Sequence, residues 1–345
     1  MKRKTINLAL QGGGAHGAFT WGVLDRFLDE DWLDYAAISG TSAGALNGAA
    51  FKAGYARGGR DGARAELDRL WGQVSESVDL RLNRILPSEL PGVEALTRWF
   101  DAFTPAAFVD GISRVFSPYD SGPFYVNPLA SVVEKFRYED VCGAEGPELF
   151  VSATNVRTGK IRVFAHEEIT ADAILASACL PEIFRAVEID DPKTGRTEAY
   201  WDGGFTGNPP LFPLFEPQYP RDVVIVSINP LLRDEIPKTP AQIDERINEI
   251  SFNSSLLREL RAINFVRRLI AEGRFPEGAM KDVLIHVIAD DDIMTQLSTK
   301  SKIMPEWGML QKLKDAGRAA ADRWLEAHAD KIGSEASTDL HSLFD

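Results

Sequence analysis

Cysteine is scarce in this sequence. Cys142 and Cys179 are the only cysteines among 345 residues, which is too few to build a disulfide framework. A small secreted scaffold held together by disulfides is therefore excluded. Free thiols are typical of proteins in a reducing compartment, so we predict a cytoplasmic location.

Positive charge is also in short supply. The chain has 38 Lys and Arg residues against 51 Asp and Glu residues, which gives a formal net charge of -13. Such a surface disfavours nonspecific binding to nucleic acid, and we expect no nucleic-acid partner. An anionic membrane would also repel the average face of the protein. A local apolar patch could still dock, so peripheral contact with a membrane stays open.

A third feature that the sequence lacks is a long hydrophobic run. The basic start at Met1–Lys4 is followed too early by Gly12–Gly14 to leave room for the apolar segment of a signal peptide. The run of small residues after Ser42 is interrupted by Asn47 and Lys52 and is not apolar enough to span a membrane. We interpret this run as a helix that packs closely on a sheet.

What the sequence does contain is a short strand that leads into a tight turn and a helix. Residues 35–38 predict a buried strand, the segment 40–44 (GTSAG) follows, and small residues continue as a helix. G-x-S-x-G between a strand and a helix is the pattern of a nucleophile elbow. Ser42 would stand at a helix N-terminus, where backbone N–H groups favour negative charge. Ser42 is therefore the candidate nucleophile.

A glycine-rich loop precedes this elbow. Residues 5–11 predict a first strand, and the segment 12–17 (GGGAHG) separates it from a helix. The G-x-G-x-x-G spacing is that of dinucleotide-binding loops, which also need an acidic residue at the end of the second strand. Residues 39–42 offer no such residue, so we predict no nucleotide cofactor.

We interpret the glycine loop instead as an anion-binding nest that faces the elbow serine. The loops that follow two adjacent parallel strands meet at one edge of the sheet, and their N–H groups would stabilise a tetrahedral oxyanion. The candidate donors are Gly12, Gly13, Gly14, Ala15 and Ala43.

A serine nucleophile needs a base, and none of the five histidines fits that position well. His286 comes late in the chain, as in the order of an α/β-hydrolase, but the alternating pattern places it inside a strand. A carboxylate can serve in a water-poor pocket, where desolvation raises its pKa. Asp202 stands at a predicted strand end before two glycines and is the candidate base. Asp-Gly-Gly alone is usually a turn, so this assignment depends on the other two motifs.

The remaining segments predict one domain over residues 1–345, with a core at about 5–230. Residues 80–136 are rich in proline and carry aromatic residues at helical spacing. They are expected to form a helical insertion, either of ordinary core-facing helices or of a lid and lipid-docking surface over the site. Residues 231–332 are expected to add helices and a strand, and 333–345 to form a loose tail.

Taken together and in this order, three motifs resemble the patatin-like phospholipase family. They are the segments 12–17 (GGGAHG), 40–44 (GTSAG) and 202–204 (DGG). Residues 176–184 (ASACLPEIF) and 208–210 (NPP) are also similar to the surroundings of the family's Asp-Gly motif. The likeness is firm at the motifs and looser between them.

The resemblance implies a lipid acyl hydrolase with a Ser42–Asp202 dyad and no metal or other cofactor. The strand and helix pattern, with the resemblance, predicts an α/β three-layer sandwich whose central, mainly parallel sheet is flanked by helices. The expected substrate is a lipid ester or a phospholipid, cleaved in the manner of a phospholipase A or a lysophospholipase. No oligomeric state is predicted.

One residue departs from the family pattern. The family usually carries Arg or Lys in the glycine loop where this chain has His16. A cation there would support the oxyanion or a lipid phosphate, which makes His16 the candidate for contact with a substrate phosphate. The alternative is that His16 only packs or forms hydrogen bonds within the loop, since histidine is mostly neutral near pH 7.

Two other functions stay open at this point. An acyltransferase could use the same site and pass the acyl group to an alcohol or a thiol instead of water. A non-catalytic lipid-binding protein could keep the fold without the chemistry. A strained elbow is costly unless it is used, which favours an enzyme.

Overall fold

The computed structural model describes residues 2–85, 117–120, 125–276, 278–297 and 306–344. Most of the predicted helical insertion at 80–136 lies outside the described residues. Its two interpretations, core-facing helices and a lid, therefore stay predictions.

One sheet of eight strands runs through the described part of the chain. The strands are β1 (Lys4–Leu10), β2 (Leu33–Thr41), β3 (Glu148–Asn155), β4 (Ile161–Ala165), β5 (Val187–Asp191), β6 (Arg196–Asp202), β7 (Asp222–Val226) and β8 (Leu284–Ile288). Their order is β5-β6-β3-β2-β1-β7-β8, and β4 also pairs with β3. Neighbouring strands along the series β3-β2-β1-β7-β8 are parallel. Each pairing that involves β4 or β6 is antiparallel. The predicted mainly parallel sheet is confirmed.

The central strands are mainly apolar because both faces of the sheet are covered. All five residues of β7 are buried. Val224 and Val226 belong to the larger core, whereas Val223 and Ile225 belong to the smaller core on the opposite face. Successive side chains of a strand point to opposite faces, so one strand contributes to both cores.

Helices cover the two faces. Those described are α1 (Ala18–Phe27), α2 (Ala43–Ile85), α3 (Ala130–Val133), α4 (Tyr138–Cys142), α5 (Ala171–Ser177), α6 (Pro240–Ala271), α7 (Asp291–Met294), α8 (Trp307–His328) and α9 (Leu340–Phe344). The long helix α2 is interrupted at Gly58 and Gly59, which have non-helical backbone angles. Within the described residues, no helix has the length and hydropathy to cross a bilayer.

Residues beyond 230 are built into the same core. β8 extends the sheet beside β7, and α8 packs directly on α1. Gly22 and Gly317 lie at this contact, where a side chain on either would overlap the backbone of the other helix. Since the C-terminal elements share one sheet and one core with β1 and β2, they support our proposal of a single domain.

The segment expected to be a loose tail has structure of its own. Residues 340–344 form α9, and Leu340 is buried in the smaller core beside α6. Ser337 forms hydrogen bonds with His286 of β8. Apolar residues near the end of a polar segment are enough to fix it when a hydrophobic face stands open beside it.

Candidate active site

Ser42 lies on the turn between β2 and α2. Its φ angle is 53°, in the left-handed region that residues other than glycine rarely adopt. The neighbours are small because there is no room for side chains. A Cβ on Gly40 would lie 2.6 Å from the carbonyl oxygen of Gly44. Strained turns of this kind cluster at functional sites.

Hydrogen bonds that involve hydroxyl groups hold the elbow in place. The N–H of Ser42 donates to Ser177 Oγ at 2.8 Å, and Ser177 is the last residue of α5. Thr41 Oγ1 donates to the Gly207 carbonyl at 2.7 Å, and Ser39 Oγ donates to the Pro210 carbonyl at 2.6 Å. The elbow is therefore tied both to α5 and to the segment that follows Asp202.

Sequence reasoning did not identify Ser177 as part of the site. Its segment resembles the family, but a serine among small buried residues gives no local signal for a contact with residue 42. That contact depends on where the folded chain places the end of α5 relative to β2.

Asp202 ends β6 and is brought beside Ser42 by the register of three strands. β6 places Asp202 opposite Ala153 of β3, and β3 places Ser152 opposite Thr41 of β2. The side chain of Asp202 is completely buried (0% exposed), and that of Ser42 is nearly so (7%). The structure thus brings the two predicted residues together.

The environment of Asp202 favours its protonated form. Burial raises the pKa of this carboxyl to about 7, although the Gly204 N–H and the nearby Ser42 hydroxyl act in the opposite direction. Oδ1 accepts the Gly204 N–H at 2.7 Å. Oδ2 is buried and has no hydrogen-bond partner among the described residues. An unused carboxylate oxygen beside a hydroxyl is suited to accept its proton.

The glycine loop lies against the nucleophile. A Cβ on Gly12 would stand 2.7 Å from Ser42 Cβ. Gly14 has a φ of 59°, and loops with such left-handed residues form anion-binding nests. The N–H groups of Gly13 and Gly14 have no acceptor in the described part of the chain.

Gly12 differs from the expectation that its N–H faces an oxyanion. That N–H donates instead to Asn208 Oδ1 at 2.6 Å, so Gly13 is the first residue of the loop whose N–H has no acceptor among the described residues. Ala15 lies in a short 3-10 helix, Gly14–Gly17, and Ala43 is the first residue of α2. Both residues are buried, and their part in an oxyanion hole stays a prediction.

His16 lies in the same 3-10 helix and is 2% exposed. Its N–H donates to the Gly13 carbonyl at 3.3 Å, which helps to close the loop. Contact of His16 with a substrate phosphate stays a prediction.

His286 lies inside β8, as the alternating pattern predicts, and far from Ser42. It stands opposite Val224 of β7, which stands opposite Leu8 of β1, itself opposite Ile38 of β2. His286 is thus three strands away and level with a residue four before Ser42. These offsets amount to roughly 14 Å across the strands and roughly 13 Å along them, so His286 cannot serve Ser42 as a base.

No cluster of His, Cys, Asp or Glu suited to hold a metal ion occurs among the residues that the structure describes. The arrangement around Ser42 instead offers a hydroxyl, a carboxylate of raised pKa and two backbone donors. These groups can together carry out acyl transfer to and from a serine.

A family model described as patatin-like phospholipase matches residues 8–215. The match covers more than half of the chain and includes the glycine loop, the elbow and Asp202. The chain belongs to the patatin-like phospholipase family. Membership in this family indicates a lipid acyl hydrolase. The matched residues end before β7, so the last two strands and the helices from α6 to α9 lie outside them.

Two solved structures of other proteins resemble this family member along most of its length. VipD from Legionella pneumophila has a TM-score of 0.44 and 11% identity, and the alignment covers 94% of this chain and 67% of VipD. ExoU from Pseudomonas aeruginosa, solved in complex with SpcU, has a TM-score of 0.31 and 17% identity, with coverage of 94% and 53%. The chain therefore spans about half the length of ExoU. No curated protein matched the sequence.

Proposed function

We propose that this phospholipase family member hydrolyses lipid esters with Ser42 as nucleophile and Asp202 as base. The observation that supports the proposal most directly is the pairing of a strained serine with a fully buried carboxylate. One oxygen of that carboxylate lacks a partner among the described residues. Desolvation brings the pKa of Asp202 to about 7, close to the pH at which general base catalysis is most effective.

The acylation step uses both residues. Ser42 Oγ forms a bond to the ester carbonyl carbon, and its proton passes to Asp202 Oδ2. The carbonyl oxygen becomes an oxyanion, which the N–H groups of Gly13 and Gly14 stabilise together with the N-terminus of α2. The tetrahedral intermediate then expels the alcohol, which takes the proton from Asp202.

Deacylation repeats the same steps with water. Asp202 takes a proton from the water molecule as its oxygen attacks the acyl carbon. Collapse of the second intermediate releases the fatty acid and returns the proton to Ser42. Each group thereby recovers its starting state, and the cycle needs no external oxidant or metal.

We assign the substrate to the phospholipids or lysophospholipids, with peripheral contact at a membrane. Family membership supports a lipid ester. The buried position of Ser42 supports a substrate that the protein encloses rather than one that is cleaved in open solvent.

Covalent labelling tests the nucleophile. The full-length protein is treated with a fluorophosphonate, digested and mapped by mass spectrometry, with Ser42→Ala as the matched control. We expect the adduct on Ser42 in the wild type and on no residue in the variant. An adduct on another serine, or no adduct in the presence of phosphatidylcholine vesicles, would falsify the assignment.

Product analysis tests the acceptor. Phosphatidylcholine and lysophosphatidylcholine are incubated with the unlabelled full-length protein, with and without an added alcohol or thiol. Release of free fatty acid in both cases supports hydrolysis. Transfer of the acyl group mainly to the added acceptor would instead identify an acyltransferase.

A further inference from the structure

Four buried amide side chains surround the base of the glycine loop. They are Gln11, Asn208, Asn229 and Asn253, each no more than 3% exposed. They come from four separate parts of the chain: the end of β1, the segment after Asp202, the segment after β7, and α6. None of them takes part in the proposed chemistry, so their burial needs another reason.

Two of these amides pair with both backbone polar groups of Gly12. Asn208 Oδ1 accepts the Gly12 N–H at 2.6 Å, and Asn208 Nδ2 donates to the Gly12 carbonyl at 3.3 Å. Asn229 Nδ2 donates to the same carbonyl at 2.8 Å. The peptide groups on either side of Gly12 are therefore held in one orientation, although glycine alone would leave them free to turn.

The other two amides hold the first two in place. Gln11 Oε1 accepts the Asn229 N–H at 3.1 Å, and Gln11 Nε2 donates to the Asn208 carbonyl at 3.3 Å and to Asn253 Oδ1 at 3.1 Å. Asn253 Nδ2 in turn donates to the Asn229 carbonyl at 3.3 Å. A buried network in which each member has partners is rigid, so Asn208 has little freedom to move.

The orientation of Gly12 decides which donors of the loop remain for a substrate. With its own N–H taken by Asn208, the next N–H groups, of Gly13 and Gly14, have no acceptor in the described part of the chain. A Cβ on Gly12 would stand 2.7 Å from Ser42 Cβ, so the loop passes close to the nucleophile at this residue. A rotation of the Gly12 peptide groups would therefore displace the donors closest to the nucleophile.

We propose that Asn208 is a positioning residue of the oxyanion loop. Its carboxamide fixes Gly12 so that the N–H groups of Gly13 and Gly14 stay directed to the oxyanion, which forms on the carbonyl carbon that Ser42 attacks. The proposal rests on the Ser42–Asp202 mechanism and adds a residue that acts through the backbone of Gly12 rather than on the substrate.

The position of Asn208 in the chain explains why one segment can control both halves of the site. Asp202 and Asn208 are joined by the 3-10 helix Gly203–Phe205 and by Gly207, whose carbonyl accepts the Thr41 hydroxyl. The segment 202–208 therefore contacts the elbow through Gly207 and the oxyanion loop through Asn208, and it also carries the base. A shift in this segment would misplace the donors and the base together.

Kinetics of Asn208→Ala test the proposal, with Asn7→Ala as the matched control. Asn7 is equally buried and its Nδ2 donates to the Pro220 carbonyl at 2.9 Å, but it lies inside β1, several residues before the loop. We expect kcat of Asn208→Ala on a soluble ester to fall about 100-fold with KM nearly unchanged, as for loss of an oxyanion donor. Asn7→Ala should keep kcat within about threefold of the wild type.

A transition-state analogue separates positioning from a general packing defect. A trifluoromethyl ketone adds to Ser42 and places its oxyanion at the loop, so its inhibition constant should rise about 100-fold in Asn208→Ala, in parallel with the loss of kcat/KM. The isosteric Asn208→Asp serves if the alanine variant does not fold. It retains the acceptor for Gly12 but replaces the donor, and we expect the same direction of change.

The outcomes distinguish this inference from the proposed function. If wild-type protein is active, Ser42→Ala is inactive and a folded Asn208 variant keeps kcat and inhibitor affinity close to those of Asn7→Ala, then Asn208 has only a structural role and this inference is wrong. If Ser42→Ala keeps wild-type activity, the dyad itself is wrong.

Discussion

Two of the arrangements that combine a serine with a buried aspartate among the described residues differ in almost every other respect. At the first, Ser42 stands beside Asp202 without a histidine. At the second, near the end of the chain, His286 lies between Asp222 and Ser337. Nε2 of this histidine is 3.1 Å from Asp222 Oδ1, and Nδ1 is 3.0 Å from Ser337 Oγ.

By residue type alone, the second cluster is the better match to a serine hydrolase. Its hydrogen bonds show a different use. The Ser337 N–H also points to His286 Nδ1, at 3.3 Å, which makes Nδ1 the acceptor and Nε2 the donor to Asp222. Asp222 Oδ1 further accepts the Gly333 N–H at 2.7 Å. The cluster thus attaches the segment 333–337 to the sheet.

The backbone explains the difference. Ser42 has a positive φ at the start of a helix, and the Gly13 and Gly14 N–H groups beside it have no acceptor among the described residues. Ser337 has no positive φ and does not begin a helix. A nucleophile needs a place for the negative charge that develops in the substrate. With Ser42 as the proposed nucleophile, the comparison teaches that donors and backbone geometry indicate a site better than a particular triad of side chains does.

The largest effect that would sharpen this comparison is that of Asp202→Asn. We expect kcat/KM on a soluble ester to fall by about 10³-fold or more, since the amide cannot accept the Ser42 proton. The pKa of Asp202 is raised from 3.8 to about 7 in the folded state, so stability falls as pH rises between these two values, and the full cost of the buried charge is present above about pH 7. The variant should therefore unfold at a higher temperature than wild type at pH 8.

Calorimetry at pH 8 provides the control for that variant. A melting temperature at or above that of wild type would show that the loss of activity does not come from unfolding. Near-normal turnover by the folded variant would contradict the assignment of Asp202 as base.

A smaller effect is expected from pH. Because the base must be deprotonated and burial raises its pKa to about 7, kcat/KM should fall about tenfold for each unit of pH below 7 and level off above it. Stopped assays with a neutral ester in buffers of constant ionic strength measure this profile. A profile that stays flat down to pH 5 would exclude a carboxyl of raised pKa from the rate-limiting step.

The smallest effect on activity is expected from His286→Ala, which addresses the second cluster. We expect kcat to stay within about threefold of wild type, while the free energy of unfolding falls by about 2 kcal/mol because Asp222 loses a buried hydrogen-bond partner. Urea denaturation and ester kinetics measure the two quantities. A loss of activity as large as that of Asp202→Asn, without a loss of stability, would move the active site to the second cluster.

Local signals in the sequence predicted the parts of the site that depend on local geometry. The elbow needs small residues around Ser42, the glycine loop needs residues such as Gly14 at positive φ, and Asp202 precedes two glycines at a strand end. The order of strands and helices likewise predicted the parallel centre of the sheet, because each parallel connection leaves a helix between two apolar runs.

The amide network could not be predicted in this way. Its hydrogen bonds join residues 196 positions apart, for Gly12 and Asn208, and 242 positions apart, for Gln11 and Asn253. Asn and Gln on a polar helix face or in a turn are ordinary in sequence. Only the assembled fold shows that these amides meet behind one glycine. The same holds for Ser177 and for the attachment of residues 333–337.

The close contact between α1 and α8 has a consequence for how the protein is made. Arg318 of α8 pairs with Asp25 of α1, 293 residues earlier in the chain, and Gly22 and Gly317 let the two backbones meet. During synthesis, the helix that follows the glycine loop must wait for α8 to leave the ribosome before its outer face is covered. A nascent chain that already carries Ser42 and Asp202 therefore lacks a finished scaffold.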